Sequence, residues 1–249
     1  DCLLSRGLGD VYKRQRKNSV EIAYLCGFLT HYFLDRECHP YVYWQTDYLN
    51  KRKDYLEKHY QFENDIDVAL LRIMRNTTPY EFSRVSQIKI NPAERERVCR
   101  MLHYSMHRTY EETRITKRGI HLAILSIQKE QHFFKLCSGK LKTAIETVEN
   151  YFVGQSYLAS LIPGVDHEIS EDPLNLRHLE WKNPWKSEKV SNASFPEMME
   201  KAAGNFALSV YLMEDYLYEF RGDKQVWNLL TWRIGNASYH SGLDWNIPS

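Results

Sequence analysis

Cysteine is sparse and unpaired in this sequence. Five residues (Cys2, Cys26, Cys38, Cys99 and Cys137) are scattered over 249 positions with no CxxC pair, which argues against a disulfide-stapled secreted scaffold and fits a reducing, cytoplasmic setting with buried free thiols. Charge of a single sign is missing too: 33 basic and 32 acidic residues leave a formal +1. Without a basic tail or stripe, no nucleic-acid partner is expected, and any phosphate chemistry must be local. The longest apolar run near the front, Ile22 to Leu34, is interrupted by His31 and flanked by Glu21 and Asp35, so it predicts a buried helix and not a membrane span. No signal peptide is visible. Period-two alternation is absent almost everywhere, Ile88 to Ile90 being the one short extended candidate, and no repeats, linkers or low-complexity tracts occur. With 43% apolar residues the chain can build a sizeable core. The first fifteen residues lack an initiator Met and look like adapter read-through; the expectation is a non-native segment over 1–15 and a helical domain over 16–249 whose true N-terminus is missing.

What the chain has is helical periodicity. From Asn18 to His39, Ile22, Leu25, Cys26, Leu29 and Phe33 recur at three and four, and Pro40 is expected to stop the helix just after His39. Residues 46–58 predict a solvated helix feeding a second one from about Lys58 to Arg75, with Ile66, Leu70 and Ile73 inward. Asn91-Pro92 opens a helix to about Glu112, marked by Val98, Met101, Leu102 and Met106. Further helices are expected near 116–137 and 139–153. Pro163 to Ser194 predicts a long polar loop anchored by Trp181 and Trp185. Ser194-Phe-Pro-Glu197 is a capping box that starts a helix to about Phe220, and a short helix near 223–233 ends before Gly235. The expected class is therefore all-α, a single domain of seven or eight helices.

Two segments carry chemistry. His31, Asp35 and His39 are four residues apart, and His59, Glu63 and Asp67 repeat that spacing. Positions i, i+4 and i+8 drift slowly round a helix, so each set lines one patch. Imidazole nitrogen and carboxylate oxygen suit zinc, and two such ladders are what a multinuclear zinc site on helices needs. Taken as mere i, i+4 surface pairs they are worth only a few tenths of a kcal/mol each. His31 stands among Phe28, Leu29, Phe33 and Leu34, where an unpartnered imidazole and Asp35 would be costly to desolvate. His103 and His107 are also four apart, but surface or core roles are expected for them. Cys38 is expected to pack, its side chain pointing about 100° from that of His39.

Ala23-Tyr-Leu-Cys-Gly-Phe-Leu-Thr-His31 through His39-Pro-Tyr-Val42 resembles the central helix of the zinc-dependent phospholipase C family, especially its uncharacterised bacterial branch. His59-Tyr-Gln-Phe-Glu63 resembles the next ligand helix, and Asp172-Pro-Leu-Asn-Leu-Arg-His178-Leu-Glu-Trp181 with Ser194-Phe195 resembles later segments. The resemblance implies an all-α fold with up to three zinc ions. His31 and Asp35 would belong to a two-metal cluster, with Asp35 bridging. His39, His59 and Glu63 would form a separate zinc site complete within this chain. The family's remaining ligands and its general-base Asp come from sequence ahead of the central helix, so no catalytic residue is assigned here and only one site is expected to be complete. Asp67 has no counterpart among the ligands. The implied activity is hydrolysis of a phospholipid-type phosphodiester, with transient membrane-surface contact and unknown oligomeric state. Two alternatives stay open: a single-strand-specific zinc nuclease, whose family carries Asp where Glu63 stands, and a non-catalytic zinc-binding helical domain.

Overall fold

The computed structural model describes residues 19–50, 54–79, 81–82, 88–110, 112–136, 140–154, 157–162 and 169–244; the segment expected to be foreign, 1–15, lies outside them. The described chain is mostly helical: α1 (Ser19–Gln45), α2 (Tyr55–Arg75), α3 (Pro92–Thr109), α4 (Lys117–Leu136), α5 (Lys140–Phe152), the one-turn α6 (Tyr157–Ser160), α7 (Phe195–Glu214) and α8 (Lys224–Ile234). A short antiparallel hairpin of β1 (Trp181–Asn183) and β2 (Lys186–Ser191) precedes α7. No helix among the described residues is long and apolar enough to cross a membrane.

The described residues form two compact units, one from 25–63 with 170–244 and the other from 19–24 with 64–169. In the first, Leu29, Tyr32 and Phe33 of α1 pack with Ala202 of α7, and Phe206, Ile234 and Tyr239 close over them. Further along α1, fully buried Tyr41 donates its hydroxyl to the Pro173 carbonyl at 3.1 Å and meets Trp181 edge-on. In the second, Ile66, Val68, Val98, Cys99, Ile120 and Ile162 are buried, and the Glu149 carboxylate accepts the Leu158 and Ala159 N–H groups at 2.6 and 2.9 Å. Helix starts follow local chemistry: Asn91 and Ser194 each close a reciprocal capping box with a glutamate three residues on, and proline sits in the first turn.

Four expectations need correction. Pro40 does not stop α1, which continues to Gln45. Proline removes the N–H that would bond the Arg36 carbonyl, and Gly242, at φ +60°, packs so tightly there that a Cβ would collide with that oxygen. Burial of Tyr41, Val42 and Tyr43 outweighs a helix-interior cost of about 3 kcal/mol. Second, of the helix expected over 46–58, residues 46–50 form a turn, 51–53 lie outside the described residues, and 55–58 already belong to α2. Asp47 takes φ 52°, its carboxylate accepts from Asn50 at 2.7 and 2.8 Å, and Tyr48–Asn50 forms a 3-10 turn. Third, the polar loop contains the hairpin: β2 is exposed along nearly its whole length, so it shows no alternation. Fourth, the helix expected to run to Phe220 is α-helical only to Glu214, where Asp215–Glu219 widens into a π-helical turn.

Candidate metal centre

All five expected ligands lie in the first unit, on α1 and the opening turns of α2. The structure brings His39, His59 and Glu63 together: one ligand-type atom from each falls within 4.8 Å of the others. His59 Nε2 stands 3.2 Å and His39 Nε2 3.5 Å from Glu63 Oε1. The two rings lie 6.0 Å apart, tilted by 38°. His59 and Glu63 meet because they are one turn apart on α2, whereas His39 arrives from α1.

His31 and Asp35 continue the ladder outward without a third ligand joining them among the described residues. Asp35 Oδ2 is 3.2 Å from His31 Nε2 and 3.8 Å from His39 Nδ1. The buried imidazole expected at position 31 is not found, since that side chain is 66% exposed; the desolvation argument applies to Asp35, at 14%. Asp67 is exposed. His103 and His107 pair ring to ring on α3, in the other unit. His178 holds the loop to the Asn192 carbonyl and Glu197. Cys38 is buried, and burial reinforced by the charges of Glu37 and Asp35 pushes its thiol well above the ordinary range, so it packs as an apolar residue.

Burial alone would raise the Glu63 carboxyl, but hydrogen bonds and charge from His39 and His59 outweigh it and bring it to about 2. His39 is the mirror case: burial lowers it, and Glu63, Asp35 and the Tyr239 carbonyl more than restore it, leaving its pKa raised. Asp35 is raised, because burial exceeds the pull of His39 and His31.

The donor set fits zinc. Ligand atoms about 2.0–2.2 Å from one tetrahedral ion sit about 3.3–3.6 Å from each other; the two imidazole contacts to Glu63 Oε1, at 3.2 and 3.5 Å, already have about that spacing, and the widest pair, within 4.8 Å, has little more than about 1 Å to close. His59 is buried with its Nε2 on Glu63 and its Nδ1 without a hydrogen-bond partner, so the imidazole is not fully satisfied by protein groups. Three protein ligands also leave one position of a tetrahedral ion open, as in catalytic zinc sites.

Several contributors lie outside the residues expected from the sequence. Tyr43, one further turn along the α1 ladder, packs on both His39 and His59, and its hydroxyl meets His240 Nδ1 at 2.6 Å. The Tyr239 carbonyl accepts from His39 Nδ1 at 2.7 Å. Tyr43 was legible as the next i+4 position; Tyr239 and His240, about 200 residues downstream, were not.

Residues 3–113 match the family model described as zinc dependent phospholipase C. No curated protein and no solved structure matches.

Proposed function

Residues 3–113 match the zinc-dependent phospholipase C family, and on that premise we propose that the chain belongs to it, binds zinc at His39, His59 and Glu63 and hydrolyses a phospholipid-type phosphodiester. The observation that carries this reading is the convergence of two imidazoles from different helices on one glutamate oxygen. When bound, zinc supplies Lewis acidity, polarising a phosphoryl oxygen and lowering the pKa of water from 15.7 towards about 7. The protein's part is to present unprotonated donors. Glu63 is ionised at neutral pH, and His39, with Nδ1 directed at a carbonyl, offers Nε2 to the site. Asp35 and His31 lie one and two turns back along α1, where the family resemblance places a second cluster.

A phospholipid substrate is favoured over a polynucleotide by what borders the ladder. A cleft of about 410 Å³ is lined by Phe28, Leu29, Tyr32, Ile234 and Tyr239, and the Tyr239 ring lies 6.1 Å from that of His31. Its apolar walls suit the hydrophobic part of a lipid, and the near-zero net charge offers no general attraction to a polyanion. The test is metal analysis of the purified chain together with turnover of a phosphocholine ester and of single-stranded DNA by the complete open reading frame. One tightly held zinc, lost in His59→Ala, with ester turnover and none of DNA, is the expected outcome. A chain that binds no zinc overturns the reading, and zinc without turnover of either substrate leaves a non-catalytic zinc domain in its place.

A further inference from the structure

Residues 234–240 are gripped by a single stripe of α1. Tyr32, Arg36, His39 and Tyr43 follow one another by four, three and four positions, the spacing of one helix face, and each makes one hydrogen bond to this segment. The Tyr32 hydroxyl accepts the Ala237 N–H at 2.9 Å. Arg36 Nη1 donates to the Ile234 carbonyl at 2.7 Å. His39 Nδ1 donates to the Tyr239 carbonyl at 2.7 Å, and the Tyr43 hydroxyl pairs with His240 Nδ1 at 2.6 Å. The segment is also tied to itself: the Ser238 N–H donates to the Leu243 carbonyl at 2.9 Å, the Gly242 N–H donates to the Ser238 carbonyl at 3.0 Å, and the Ser238 hydroxyl accepts from the His240 and Ser241 amides. Asn183 fixes the far side by donating to the Ser241 carbonyl at 2.7 Å.

We propose that residues 234–244 are a positioning strap whose Tyr239 carbonyl sets the tautomer and ring orientation of His39, and that Gly242 is the residue that allows the strap to seat. Both ring nitrogens face oxygens that only accept, but the Tyr239 carbonyl is 2.7 Å from Nδ1 while Glu63 Oε1 is 3.5 Å from Nε2, so the neutral ring keeps its single proton on Nδ1 and leaves the Nε2 lone pair facing the site. Asp35 Oδ2, at 3.8 Å from Nδ1, is too distant to replace that bond. Seating requires a residue without a Cβ at 242, because φ is +60° and a Cβ would strike the Arg36 oxygen. The same oxygen is the one that Pro40 leaves without its helical donor, so the interruption in α1 and the glycine in the strap fit one another. The strap lies wholly outside the stretch that matches the family model.

The proposal about the tautomer stands on these contacts, while its consequence for metal rests on the zinc reading given above. Side-chain ¹H–¹⁵N spectra of the metal-free chain at alkaline pH, where the ring is neutral, should show His39 as the Nδ1–H tautomer. In Gly242→Ala that pattern should give way to a mixture while His59 keeps its own. Zinc affinity, read by competition with a chromophoric chelator, should fall about 10–100-fold, as for other losses behind a ligand. A folded Gly242→Ala chain with unchanged His39 spectrum and affinity overturns the proposal, as does a wild-type His39 protonated on Nε2. Should Gly242→Ala not fold, Ser238→Ala, which loosens the turn without a clash, takes the same measurements, and an unchanged His39 again overturns it. If the tautomer responds as expected but the wild-type chain binds no zinc, the strap stands and the zinc reading falls.

Discussion

Both ladders meet at Glu63, and its ionisation sets when the metal-free centre holds together. Its folded pKa is depressed, so its contribution is whole above the ordinary 4.5 and fades as pH falls towards 2. That of His39 is raised, so its contribution is whole below the ordinary 6.5 and is lost as pH climbs through the raised value. The two overlap between pH 4.5 and 6.5. In the metal-free chain, Glu63→Gln should therefore lower the melting temperature most near about pH 5.5 and less near about pH 3 or pH 9. With 39% of the Glu63 side chain exposed, solvent screening holds the effect to about 1 kcal/mol. A loss that is flat across these pH values would show that the imidazoles do not engage Glu63. These residues were legible because i, i+4 spacing on a helix is a local rule. Nothing comparable marks a backbone carbonyl, so Tyr239 had no signature, and His31 was misjudged because apolar sequence neighbours point in several directions around a helix.

Among the elements, the caps were the most legible parts, since the donors orphaned at a helix start are satisfied by side chains within three residues. Asn91→Ala and Ser194→Ala should each cost about 1 kcal/mol, seen as a melting temperature lower by about 2–4 °C. A variant that melts like the parent would mean that its box does not hold the helix. The length of α1 was not legible. Local chemistry argues for a break at Pro40, and only burial of Tyr41, Val42 and Tyr43 carries the helix past it. The hairpin was hidden for a related reason: Trp181 and Asn183 are buried through contacts with Ala193 and Ser241, while β2 faces solvent and writes no pattern into its residues.

For the molecule as a whole, zinc should act as a stabiliser of the folded chain. A ligand at about 100 times its dissociation constant adds about 2.7 kcal/mol, which for a chain of this length is a rise of about 5–10 °C in melting temperature. Calorimetry with zinc and then with excess chelator should show that rise and its reversal, and neither should occur in His59→Ala. A zinc-independent melting curve would mean that the cluster does not bind the ion in the folded state. The sequence by itself determined the helical class, the helix starts and which side chains could ligate, because each depends on spacing within about two turns. Only the tertiary structure decided that α1 and α2 bring His39 onto the His59–Glu63 pair, that His31 faces water, and that a strap some 200 residues away orients His39. Those outcomes depend on how separate helices and turns pack, and packing is fixed by the burial of the whole ensemble of side chains, not by the order of residues in any one stretch.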